Sequence, residues 1–208
     1  MLTTTNAIVL SKLKYRENDL IVKCYTEKLG VVSYILRNVS ASKKRHSKAA
    51  YFQLLSQLQL VTQHKNTQSL QAVKEVKTHY MYVSLQTHVI KNSIVFFLAE
   101  VLSSILKEEE PNQHLYTYLE TTLQWLDNHE DYANFHLLFL LQLTKYLGFY
   151  AETPKNQETY FNLSEGSFST EKINAYSVSG ENIFLLKHLL GTNFDALNHI
   201  KINSTQRQ

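Results

Sequence analysis

The sequence predicts an α+β chain, with a five-stranded β-barrel over residues 1–78 and an α-helical bundle domain over residues 79–208. Two observations predict it. Apolar residues recur at every second position between short polar turns up to residue 78, and at helical spacing beyond it. The charge changes sign at the same place. Residues 1–78 hold 13 Lys and Arg against 4 carboxylates, a net of +9, whereas residues 79–208 hold 8 against 14, a net of −6. The overall +3 conceals that division. A basic segment built from strands suggests a polyanion-binding surface.

The strands follow in order. Residues 5–15 form the first, with Ile8, Leu10 and Leu13 facing the core and Lys12 and Lys14 facing away. Arg16-Glu17-Asn18-Asp19 is a polar turn. Residues 20–26 alternate again, Leu20, Val22 and Cys24 on one face and Ile21, Lys23 and Tyr25 on the other. Glu27-Lys28-Leu29-Gly30 closes a hairpin in which Gly30 supplies a positive φ. Val31 to Leu36 is the third strand, and Arg37 to Lys48 a basic loop. Tyr51 to Thr62 is the fourth strand, with Leu54, Leu58 and Leu60 inward, and a turn at 64–67 leads to the fifth at Ser69–Val76. Five short strands with tight turns fit a partly open OB-type barrel, and an SH3-like barrel fits the same pattern.

Helices follow. Residues 89–107 carry Ile90, Ile94, Phe97, Leu98, Val101, Leu102 and Ile105 as an apolar face, and Pro111 ends that helix. Asn112 is the expected N-cap of a second helix reaching Leu126, which buries Leu115, Tyr118, Leu119, Leu123 and Leu126. Residues 132–147 are almost wholly apolar, the pattern of a central bundle helix, with Gly148 as its glycine cap. A loop-rich insertion at 150–169 precedes short helices near 170–177, 180–190 and 193–198.

Composition excludes several classes. At 44% hydrophobic and 12% aromatic the chain is globular rather than disordered. Cys24, the single cysteine, excludes an internal disulfide and points to a reducing cytoplasm, where it serves as a small core residue. The opening Met1 to Asn6 carries no signal-peptide pattern, and the apolar run 94–106 is too short and polar to span a membrane. His79, His88, His114, His129 and His136 lack metal-ligand spacing, and Glu108 to Glu110 read as solvated helix-end carboxylates. No phosphate loop, dinucleotide fingerprint or nucleophile elbow occurs, so neither an enzyme nor a cofactor is predicted.

The basic loop carries the strongest chemical signal. Lys43, Lys44, Arg45 and Lys48 place four permanent charges within six residues, among serines whose hydroxyls suit phosphate oxygens. Lys12, Lys14, Arg16, Lys23 and Arg37 extend the patch. Tyr15, Tyr25 and Tyr34 are interleaved with these cations, either as stacking platforms or as barrel packing. The same basic face would also suit an acidic protein partner without any contact to DNA.

The order of several motifs resembles the bacterial RecO family of recombination mediators. They are Ala7-Ile8-Val9-Leu10, then 14–22 (KYRENDLIV) and 25–30 (YTEKLG), the basic Ser/Lys loop, Phe52-Gln53-Leu54-Leu55, residues 109–112 (EEPN), Leu147-Gly148-Phe149 and 160–168 (YFNLSEGSF). The resemblance implies an N-terminal OB fold on a helical domain and no enzymatic turnover. It implies binding of single- and double-stranded DNA, strand annealing, and contact with RecR and with the C-terminal peptide of single-strand-binding protein. Through these, RecA would be loaded on DNA in a cytoplasmic, nucleoid-associated setting. That peptide is acidic and ends in Phe, so it calls for an apolar groove beside a cation, and Lys91, Lys107 and Lys145 are the candidates. Three departures stand out. Many relatives carry a four-cysteine zinc module after Leu-Gly-Phe, whereas residues 154–158 hold no cysteine, so packing by Tyr160, Phe161 and Phe168 must replace it. Relatives tend to continue past the position of Gln208, which implies a shortened form. Asn38 stands where many have glycine, and Asn tolerates the left-handed region.

Overall fold

The computed structural model describes residues 2–39, 48–65, 67–107, 110–152, 154, 155 and 157–207. Five strands come first: β1 (Leu2–Tyr15), β2 (Asp19–Thr26), β3 (Gly30–Leu36), β4 (Gln57–Gln63) and β5 (Leu70–Tyr80). They close a barrel in the order β1-β2-β3-β5-β4, with β4 pairing back to β1. All pairs are antiparallel except β3–β5, a parallel pair that matches Ser33 with Leu70, Tyr34 with Gln71 and Ile35 with Ala72. That order selects the OB-type barrel.

Ala7, Val9, Val22, Cys24, Val32, Tyr34, Leu36, Phe52, Leu58 and Leu60 fill the barrel. The first strand therefore differs from its expected facing. Ala7 and Val9 point inward, while Ile8 and Leu10 are buried on the outside, where the first helix packs against β1. The register shifts between Val9 and Ser11, and Leu13, expected inside, is 66% exposed. A strand covered on both faces reads as the unbroken apolar run Ala7 to Leu10.

The fourth strand starts late. Lys48–Tyr51 form one 3-10 turn, and Leu55 adopts φ 56, which breaks the extended chain before Gln57. Phe52 still enters the core, but Leu54 is only half-buried. The fifth strand runs on to Tyr80, because Gln57 pairs with it. Gly30 has φ 63, as its turn requires, and Asn38 takes φ 57 with its N–H on Asp19 Oδ1 at 3.0 Å.

Among the described residues four helices follow: α1 (Val89–Ile105), α2 (Gln113–Asn128), α3 (Phe135–Tyr146) and α4 (Glu181–Leu190). Asn112 caps α2, its Oδ1 accepting from Leu115 N at 3.0 Å, and all five expected apolar residues of α2 are buried. The buried face of α1 is instead Lys91, Val95, Leu98, Ala99 and Leu102, which leaves Ile90 and Phe97 exposed. Residues 170–177 are not helical. They lead into β8 (Ser177–Ser179), which joins β6 (Tyr160–Asn162) and β7 (Ser167–Ser169) in a small antiparallel sheet. The last expected helix is a 3-10 segment, Phe194–His199.

The chain forms two compact units, residues 1–128 and 129–208. The charge and the periodicity change earlier, at residue 78, because α1 and α2 belong with the barrel in space. Gln57 ties β4 to α2, donating to Glu120 O at 2.8 Å and accepting from Gln124 Nε2 at 2.8 Å. Tyr25 Oη donates to Asn112 O at 3.2 Å.

Candidate nucleic-acid interface

Two concave surfaces lie on the first unit and share Thr67, Gln68 and Ser69 as a common wall. The Gln71 side chain holds that wall. It accepts from Lys65 N and donates to Lys65 O, each at 2.9 Å, so Lys65 is tied to the start of β5. The first cleft, of about 820 Å³, is lined by the end of β3, by Arg37, Asn38, Val39 and Lys48, and by the start of β5. The second, of about 870 Å³, is lined by Lys23, Lys28, Ser33, Lys65, Gln71 and Lys107 among others. Among the described residues, no Asp or Glu lines either cleft.

Arg37 and Lys48 therefore meet at one cleft, although eleven positions separate them in sequence. Both are exposed, and the Lys48 ammonium donates to Lys74 O at 2.9 Å. Val39 and Lys48, the residues flanking segment 40–47, line the same cleft. Lys43, Lys44 and Arg45 lie outside the described residues. Lys12, Lys14 and Arg16 are exposed along β1 and its turn but line neither cleft. Lys12 Nζ donates to Gln53 Oε1 at 3.0 Å, and the Arg16 guanidinium sits 5.2 Å from the Tyr15 ring centroid.

Lys23 departs from its expected role as a free phosphate contact. Its ammonium donates to Ser103 O at 2.7 Å and Leu106 O at 3.1 Å, the open carbonyls at the end of α1. Burial first, and then the charge of Lys107, hold its pKa below the ordinary lysine value. Tyr25 and Tyr34 are buried and so pack rather than stack on bases, while Tyr15 is half-exposed. Cys24 is fully buried and burial pushes its thiol pKa up, which fits a core residue.

The three candidate lysines for a peptide separate. Lys91 is a correction: it is 0% exposed, its ammonium donating to Ser84 Oγ at 2.9 Å and Asp127 O at 3.0 Å, so no peptide can reach it. Lys107 is exposed but lines the cationic second cleft with Lys23. Lys145 is exposed, bonded to Gln142 Oε1 at 2.9 Å, and lies 4.3 Å from the Tyr150 ring centroid. Sequence reading missed Lys28 and Lys65. Their only signal was a charge within a turn, and turns are usually charged.

Among the described residues no group of three or more His, Cys, Asp or Glu could hold a metal ion. The small sheet is pinned by Phe161 against Phe168 across the β6–β7 pair, ring centroids 4.8 Å apart. The buried Asn162 Oδ1 accepts from Ser164 N at 3.1 Å and Ser164 Oγ at 2.7 Å. Elemental analysis of tag-free protein should find far less than one zinc per chain, and a chelator should leave the melting temperature unchanged. Stoichiometric zinc surviving dialysis would contradict this.

Residues 1–82 match the family model described as Recombination protein O N terminal, and residues 86–208 match that described as Recombination protein O C terminal. The chain is 48% identical to the DNA repair protein RecO of Christiangramia forsetii, over 100% of this chain and 87% of the relative. It is 44% identical to the DNA repair protein RecO of Flavobacterium psychrophilum, over 98% of this chain and 85% of the relative. With that of Bacteroides fragilis it shares 32% identity over 100% of this chain and 87% of the relative.

Proposed function

This chain belongs to the RecO family of DNA repair and recombination proteins, and from that premise we propose that it is a DNA-binding recombination mediator. The barrel binds and anneals single strands, engages duplex DNA as well, and performs no chemistry on them. The protein acts with single-strand-binding protein and RecR to load RecA in the nucleoid. The basic residues 1–78 form the DNA-binding domain and residues 79–208 the helical part that serves partners. One observation carries this reading: the Arg37–Lys48 cleft lies at both roots of the basic segment 40–47 and, among the described residues, has no carboxylate in its lining. Such a cleft attracts phosphates at long range and has no competing internal anion. For the C-terminal peptide of single-strand-binding protein, Lys107 and Lys145 remain as candidate cations, since both are exposed.

A second reading uses the same cations for an acidic protein partner with no DNA contact. Titrating a labelled mixed-sequence oligonucleotide at rising salt separates the two. If the barrel neutralises about five phosphates, the log–log slope should be roughly −3.5 on a single strand. A protein that binds an acidic peptide but leaves the oligonucleotide free at 50 mM salt would establish the second reading and end the first.

A further inference from the structure

The second cleft stands apart from the Arg37–Lys48 cleft, yet shares its Thr67–Ser69 wall. Four lysines line it: Lys23 from β2, Lys28 and Lys65 from turns, and Lys107 just beyond α1. Among the described residues, no carboxylate pairs with any of the four. Lys23 and Lys107 repel one another, so an anion entering the cleft relieves an unfavourable term already present in the fold. Between the lysines lie Ser33, Thr67, Gln68 and Ser69, whose hydroxyl and amide groups suit phosphate oxygens.

We propose that this second cleft tracks the backbone of a second single strand of nucleic acid while the Arg37–Lys48 cleft holds the first. The inference rests on the reading of the barrel as a single-strand binder. Among the described residues the lining contains no Phe, Tyr or Trp, so the cleft offers cations for a backbone and little platform on which bases stack. Bases of a strand held there stay open to pairing, and the shared wall sets the two backbones side by side. Leu29, Val31, Val32, His64 and Pro111 complete the lining, so an acidic peptide is the competing occupant.

The test uses two non-complementary oligonucleotides, one with a donor and one with an acceptor fluorophore, and the full chain. Sedimentation reports how many strands each chain carries. Wild type should carry both and give energy transfer between them. The Lys28→Gln, Lys65→Gln, Lys107→Gln variant leaves Lys23 in place, because Lys23 caps α1. It should bind one strand within about twofold of wild type and the second at least tenfold more weakly. The salt slope of that second event should become shallower by roughly 2 units, the counterion release of three phosphate contacts. Saturation of wild type at one strand per chain would overturn this proposal and leave single-strand binding intact. Failure of wild type to bind any strand would remove the underlying reading as well. If the variant takes both strands as wild type does but loses a fluorescent oligoglutamate peptide, the cleft is a protein site and the proposal is wrong.

Discussion

Replacing Asp127 with alanine should lower the thermal midpoint of the first unit by roughly 10 °C, a loss of about 3–5 kcal/mol. Asp127 is 4% exposed near the end of α2 and organises the segment that joins β5 to α1. Its Oδ1 accepts from Ser84 N at 2.8 Å and Leu85 N at 3.0 Å, and its Oδ2 from Val83 N at 2.9 Å. Ser84 Oγ donates to its Oδ1 at 3.1 Å and to its backbone carbonyl at 2.7 Å. Alanine strands three backbone donors, of which Leu85 N is buried and out of reach of water, and each such loss costs about 1–3 kcal/mol. Asparagine keeps an acceptor but brings an amide that cannot accept, so it should cost roughly half as much.

The acid dependence follows from the same contacts. Burial alone would raise the Asp127 pKa, but the hydrogen bonds from Val83, Ser84 and Leu85 outweigh it and hold the carboxyl below its ordinary value. A depressed folded-state pKa contributes stability above the unfolded value of about 3.9, and that stability is lost as pH falls through the folded value. The melting gap between wild type and Asp127→Ala should be constant at neutral pH and narrow below about pH 4. Equal midpoints at pH 7 by circular dichroism would show that the three N–H groups find other partners.

That network also explains what the sequence could and could not disclose. The Val22 and Cys24 alternation, the Asn112 cap and the α2 face are local patterns with a period of two or of 3.6, and each was legible. Lys91 was not. A lysine one turn before Val95 reads as an exposed helix residue, and its bonds to Ser84 and to Asp127, the latter 36 positions away, help make its burial tolerable. The late start of β4 depends on the left-handed Leu55, which no residue preference foretells. The Arg37–Lys48 side of the site was visible as a charge run. Lys28, Lys65 and Lys107 come together through long-range contacts with no local signature, the parallel β3–β5 pair and the hold of Lys23 on the end of α1.

Alanine at Arg37, Lys43, Lys44, Arg45 and Lys48 together should reduce single-strand affinity about 3,000-fold at 0.1 M salt and hardly at all near 1 M. Both effects come from counterion release. A single strand returns about 0.7 counterion per neutralised phosphate, so losing five contacts makes the log–log slope shallower by roughly 3.5 units. Multiplied by the one decade between 0.1 and 1 M, that slope gives the affinity loss. The variant should fold normally. Arg37 and Lys48 are exposed, and the Lys48 ammonium gives up only its bond to the Lys74 carbonyl, which water can replace. A hydrogen-bonding or stacking site would behave differently, losing affinity by a similar factor at every salt concentration. The two cases are separated by one series of titrations between 0.05 and 1 M salt, with circular dichroism to verify the fold. An unchanged slope, whatever happens to the affinity, would remove these five residues from the phosphate-binding surface and leave the exposed Lys12, Lys14 and Arg16, with Lys28, Lys65 and Lys107 of the second cleft, as its remaining candidates.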